Sequence, residues 1–181
     1  MNNSKIEIGI LGGSFDPAHK GHLVISKEAR KRFKLKKIIW AITKKNPLKA
    51  VSKTPVSKRI KDCKKLIGSN TFIKVKFYED TINSNKTIDL INYIKKNKNI
   101  EIYFLMGADN LISFHKWHKS RSISQKCNIL VFDRHGYKKS SLKFDWLLID
   151  FDSLKIIAEE SGLSCKMIQA GEHYDYLALL K

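Results

Sequence analysis

The chain has 181 residues, enough for one full-sized domain and short for two. Its 35 Lys and Arg against 17 Asp and Glu leave a formal charge of +18, which excludes an acidic solvating protein and invites a polyanionic partner: nucleic acid, a membrane surface or a phosphorylated small molecule. Only Arg30, Arg32, Arg59, Arg121 and Arg134 are arginines. Lysine is a hydrated point charge and arginine the usual reader of bases and phosphates, so most of the excess reads as a solvated surface with no specific nucleic-acid partner. Cys63, Cys127 and Cys165 are far apart and show no zinc spacing. That usage, a start without a secretory h-region and the lack of a ~20-residue apolar run predict a reduced, cytoplasmic protein off the membrane.

In chain order, Ile6 to Leu11 reads as a buried strand entering a turn at Gly12-Gly13, and about Gly21 to Phe33 as a helix packing on Leu23, Val24 and Ala29. A strand over 38–42 leads into a polar loop at Asn46-Pro47, followed by a helix from Val56 to Ile67 and a strand from Phe72 to Phe77. Thr87 to Lys96 is a helix with Ile88, Ile91 and Ile94 on one side. A strand over Glu101 to Met106, short helical pieces over 109–114 and 120–126, and a strand from Asn128 to Phe132 come next. Trp146 to Ile149 is predicted as a last strand and Leu154 to Leu180 as mostly helical. Apolar strands alternating with helices predict a single α/β domain over residues 1–181, a doubly wound parallel sheet in three layers, α/β/α, with about 150–181 as its C-terminal helical segment. Ligands of such sheets bind at the carboxyl ends of the strands.

The loop after the first strand is Gly12-Gly13-Ser14-Phe15-Asp16-Pro17-Ala18-His19-Lys20-Gly21-His22. It has neither P-loop nor GxGxxG spacing, yet its parts suit phosphate. Two glycines let backbone approach an anion, and the following helix offers free N–H groups and a positive dipole end. His19 and His22, three apart, share a side and can offset charge that develops on phosphate oxygens.

This segment resembles the GG[ST]FDPxHxGH signature of the HxGH nucleotidylyltransferase superfamily, which implies a Rossmann-like sheet and nucleotidyl transfer from a nucleoside triphosphate. Later segments are similar to those of bacterial nicotinate mononucleotide adenylyltransferases: Met106-Gly107-Ala108-Asp109-Asn110-Leu111 with Phe114 and Trp117, Asn46-Pro47-Leu48-Lys49, Ser57-Lys58-Arg59, Lys86-Thr87-Ile88-Asp89, and the strand ending in Arg134 and Gly136. The resemblance runs from about residue 5 to 150 and implies transfer of the adenylyl group of ATP to nicotinate mononucleotide, with Mg²⁺ on the polyphosphate. His19 and His22 are then the catalytic pair. Gly12, Gly13, Ser14, Phe15, Gly107, Asp109 and Ser153 are expected at ATP, and Asp16, Lys49, Thr87, Trp117 and Arg134 at the mononucleotide, with Lys44 and Lys45 as substitutes for Lys49. Asp109 suits ribose hydroxyls but also a helix cap, and Trp117 suits either a stacked pyridine ring or the core. His115 and His118 read as surface residues, and no resident metal site is expected.

One family segment is altered. Where the family has ISSTxIR, this chain has Phe151-Asp152-Ser153-Leu154-Lys155-Ile156-Ile157, keeping one serine and no arginine. Two explanations stand: lysines elsewhere compensate, or the protein is a catalytically impaired nucleotide-binding relative. Pantetheine-phosphate adenylyltransferase is a further alternative, sharing GSFDPxxxGH-like chemistry.

Overall fold

The computed structural model describes residues 5–45, 52–132, 151–160, 162–170 and 176–180, and the chain divides into two compact units, Met1–Phe104 and Leu105–Lys181. Predicted features at Asn46 to Lys49, Arg134 to Gly136 and Trp146 to Ile149 fall outside the described residues.

In the first unit, strand β1 (Ile6–Gly13) is followed by helix α1 (Lys20–Phe33), strand β2 (Lys37–Ile42), helix α2 (Val56–Ile67), strand β3 (Ile73–Phe77), a short helix α3 (Glu79–Ile82) and helix α4 (Thr87–Ile94). Strand β4 (Ile100–Gly107) carries the chain into the second unit. The strand order in the first unit is β3-β2-β1-β4, and β1, β2 and β3 run parallel. In that register Gly13 pairs with Ile42, and Ile42 with Phe77. The three strands therefore end together, and the loops that follow them open on one edge.

The glycine pair does not make the turn; it ends the strand, paired with Ala41 and Ile42. A Cβ at Gly12 would stand 3.5 Å from the Phe104 ring, an ordinary contact, so packing there does not by itself demand glycine. On α1 the buried residues are Ile25, Ser26 and Ala29; Ala29 is buried as expected, while Leu23 and Val24 are only half-buried. Ile88, Ile91 and Ile94 of α4 are buried as their spacing predicts.

The second unit continues with helix α5 (Ala108–Leu111), a 3-10 turn over Phe114–Lys116, helix α6 (Ser120–Lys126), strand β5 (Asn128–Phe132), helix α7 (Phe151–Glu160) and strands β6 (Cys165–Ala170) and β7 (Tyr176–Leu180). Its strand order is β4-β5-β7-β6, with β7 antiparallel to both neighbours. Two expectations are corrected here. The end of the chain is helical only to Glu160, and the sheet is not wholly parallel. Leu177-Ala178-Leu179-Leu180 has good helix propensity, but pairing opposite Phe132 to Ile129 buries Ala178 and Leu180, and this packing overrides a propensity difference of a few tenths of a kcal/mol per residue. Among the described residues no helix is long and apolar enough to cross a membrane.

Candidate active site

The loop between β1 and α1 leaves the strand with Phe15 in the left-handed region at φ 50°, which turns its side chain back into the protein, where it is buried. The Phe15 ring stacks on Trp40 of β2 at 5.1 Å and 20° and contacts the His22 ring at 4.7 Å. His22 in turn lies 3.8 Å from His19, centroid to centroid. The two imidazoles are thus the outer members of a ring cluster, tilted at 40° and 34° along it, built on the sheet.

His19 is the N-cap of α1, and its backbone N–H donates to Nδ1 of His22 at 3.2 Å. An Nδ1 that accepts carries no proton, so a neutral His22 bears its hydrogen on Nε2. The spacing of the pair is what puts them there: His22 is the third residue of the helix, and its side chain reaches back over the first turn. Gly21 suits the position between them, because a Cβ there would stand 3.0 Å from Nδ1 of His19 and the ring would have to give by a few tenths of an ångström. Below the pair, Trp40 Nε1 donates to Ser26 Oγ at 2.8 Å, and Ser26 Oγ donates to the His22 carbonyl at 2.8 Å.

Two further ties hold the neighbouring loops. The Asp16 carboxylate accepts from the Ser52 hydroxyl and, at 3.4 Å, from the Thr54 backbone N–H. Those hydrogen bonds hold its carboxyl below the usual range, against a small desolvation in the other direction. Arg59 of α2 is 2 % exposed. Its guanidinium donates to the carbonyls of Ser14 (2.5 Å), Thr43 (2.8 Å), Lys44 (3.4 Å) and Thr54 (2.9 Å). Thr43 also donates to the Glu79 carboxylate at 2.5 Å, joining the ends of β2 and β3.

Of the predicted residues in the first unit, Gly12 and Gly13 end β1, Ser14, Phe15, Asp16 and His19 lie in the loop after it, and His22 is in the first turn of α1; Phe15 packs inward and Asp16 ties the loop. Thr87 is the first residue of α4, with the Asp89 carboxylate two residues on accepting from Ser84 at 2.6 Å. Lys44 and Lys45 are exposed at the end of β2, while Lys49 is outside the described residues. In the second unit Gly107 is the buried N-cap of α5, whose second residue is Asp109. Trp117 is half-buried with its ring 5.5 Å from Phe114, and His115 and His118 are exposed, as the surface reading expects. Ser153 lies in the first turn of α7 beside an exposed Asp152, and Arg134 is outside the described residues.

Motif spacing alone did not point to Arg59 as a loop tie, nor to Ser26 and Trp40 as support for His22. One signal was available: an isolated arginine in a chain whose bases are overwhelmingly lysine marks a place where the planar fork matters.

A family model described as cytidylyltransferase-like matches residues 10–170. A probable nicotinate-nucleotide adenylyltransferase of Pelagibacter ubique is 68 % identical over 143 residues, 79 % of each chain. One from Agrobacterium fabrum is 35 % identical over 161 residues, 88 % of this chain and 85 % of that one. Among solved structures, Plasmodium falciparum nicotinic acid mononucleotide adenylyltransferase complexed with NaAD superposes with a TM-score of 0.62 at 22 % identity, covering 74 % of this chain and 67 % of that one, a likeness of fold.

Proposed function

Because this chain belongs to the cytidylyltransferase-like family and, within it, to the nicotinate-nucleotide adenylyltransferases, we propose that it transfers the adenylyl group of ATP to nicotinate mononucleotide, in the cytoplasm, as a step of NAD biosynthesis. The 5′-phosphate oxygen of the mononucleotide attacks the α-phosphorus of ATP in line. The bond from that phosphorus to the bridging oxygen breaks, pyrophosphate leaves, and nicotinate adenine dinucleotide forms. A phosphate monoester is already a nucleophile at neutral pH, so the protein's work is positioning and charge stabilisation.

The observation that carries this reading is the locked His19–His22 pair at the start of α1. Ring contact and the capping-box hydrogen bonds hold the pair in one orientation before substrate arrives, so donors to developing phosphate charge would need no reorganisation. The loop Gly12 to Phe15 with His19 and His22 would take the ATP phosphates, together with Gly107, Asp109 and Ser153. Asp16, Lys49, Thr87, Trp117 and Arg134 would serve the mononucleotide, Asp16 by holding its loop. Mg²⁺ would enter as the metal of MgATP, since it readily keeps phosphate and water ligands.

The test is incubation with ATP, Mg²⁺ and nicotinate mononucleotide, with chromatography of the dinucleotide. His22→Ala should lower kcat about 10²- to 10³-fold, as loss of a preorganised donor does. Full activity in His22→Ala would refute the mechanism. The second reading, an impaired nucleotide-binding relative, is favoured by the first turn of α7, which carries Asp152 and no arginine. ATP binding by calorimetry without dinucleotide formation would select it.

A further inference from the structure

Arg59 is a fully desolvated cation with an unusual set of partners. Among the described residues it makes no ion pair, and every acceptor it holds is a backbone carbonyl: Ser14 in the loop after β1, Thr43 and Lys44 after β2, and Thr54 before α2. Burying a charge with no carboxylate in contact is costly even with the Coulombic support of Asp16, so what the arrangement does for the loops calls for an explanation.

A trans peptide is planar, and its C=O and the N–H of the next residue point in opposite directions. The Asp16–Pro17 bond is the cis peptide of this loop; the Ser14–Phe15 and Thr43–Lys44 peptides are trans. Drawing the Ser14 carbonyl toward Arg59 at 2.5 Å therefore turns the Phe15 N–H away from the guanidinium. Drawing in the Thr43 carbonyl at 2.8 Å does the same to the Lys44 N–H. The two peptides are neighbours, since the Thr43 N–H donates to the Gly13 carbonyl at 2.9 Å and Gly13 pairs with Ile42. The Phe15 and Lys44 N–H groups take no acceptor among the described residues. The result is a pair of outward N–H donors at the joined ends of β1 and β2, with the guanidinium's charge behind them. Backbone N–H groups left open at a sheet edge or in the turn that follows a strand make anion-binding sites.

We propose that Arg59 is a positioning residue for adenylyl transfer: by sequestering the Ser14 and Thr43 carbonyls it orients the Phe15 and Lys44 backbone N–H groups as donors to a polyphosphate anion, without itself touching substrate. This rests on the transferase reading of the same loop. Lysine has the charge but only three donors on one nitrogen, so it cannot hold all four carbonyls as the Arg59 fork does.

The experiment follows the Phe15 and Lys44 amide resonances of ¹⁵N-labelled protein while pyrophosphate with Mg²⁺ is added, and measures turnover of Arg59→Lys. The expected result is that both amides shift on titration in the unsubstituted protein. Arg59→Lys should unfold cooperatively, lose about 100-fold in kcat with a smaller change in KM for nicotinate mononucleotide, and show neither shift. Lys58→Ala, at an exposed neighbouring position, should behave as the unsubstituted protein. If Arg59→Lys does not fold, the titration of the unsubstituted protein still decides. Dinucleotide formation at full rate while both amides stay unmoved overturns the role of Arg59 alone, as does an Arg59→Lys enzyme within threefold of normal turnover. Absence of both dinucleotide formation and any pyrophosphate shift removes the transferase reading and this inference with it.

Discussion

The indole N–H of Trp40 donates to the hydroxyl of Ser26 at 2.8 Å, with both side chains 0 % exposed, and the same hydroxyl donates to the His22 carbonyl. A buried β2 residue is thereby linked to the first turn of the helix that carries the histidine pair. Ser26→Ala leaves the Trp40 N–H buried and unpaired, which should cost about 1–3 kcal/mol in denaturant unfolding. Trp40→Phe removes the donor, so the double variant should cost less than the two single variants together. Additivity within about 0.3 kcal/mol would show that the two side chains are not coupled.

Asp16 gives a pH prediction with a definite sign. Hydrogen bonds from Ser52 and Thr54 lower its folded pKa below the ordinary 3.8. A depressed carboxyl contributes stability above the unfolded value, and that contribution is lost as pH falls through the folded one. The unsubstituted protein should therefore exceed Asp16→Asn in stability at neutral pH, and the gap should close below 3.8. Thermal unfolding of the two proteins across the acid range checks this; a gap independent of pH would contradict it.

Burial pushes the Cys63 thiol up to about 12, with Asp62 adding to the rise and Arg59 opposing it. Burial also raises Cys165, which is only half-buried. The thiolate is the reactive form, so a thiol reagent at mildly alkaline pH should label Cys165 first and reach Cys63 and Cys127 only as the chain opens. Mass spectrometry of the labelled peptides reads the order; rapid labelling of Cys63 would be inconsistent with its packing on α2.

On the proposed reading α7 serves the triphosphate, which favours hydroxyl and arginine over the Asp152 carboxylate in its first turn. Asp152→Ser combined with Ile157→Arg should lower KM for ATP about tenfold, the worth of one charge-assisted hydrogen bond. Steady-state kinetics with varied ATP measures it. Activity found only in the doubly substituted protein would mean that the natural chain is an impaired relative.

The alternation of strands and helices through Phe132, the histidine pair and the buried face of α4 were all legible in the chain, because each is written in short-range spacing: runs of apolar residues, a three-residue step, a helical period. The C-terminal segment was not. Leu177 to Leu180 has the composition of a helix and became a strand only because β5 and β6 lie on either side of it to receive its hydrogen bonds. The glycine pair reads locally as a turn but ends β1, because its pairing with Ala41 and Ile42 depends on a strand some thirty residues away.

For the site itself, spacing along one helix turn settles which residues stand at the start of α1, and it needs no partner from elsewhere to do so. What holds them belongs to tertiary structure. Ser26 finds Trp40, Asp16 finds Ser52, and Arg59 finds Ser14 and Thr43 through parallel pairing that ends β1, β2 and β3 at one edge. Hydrogen bonds between loops distant in sequence are set by where the sheet delivers the chain, and no local pattern of residues encodes that meeting.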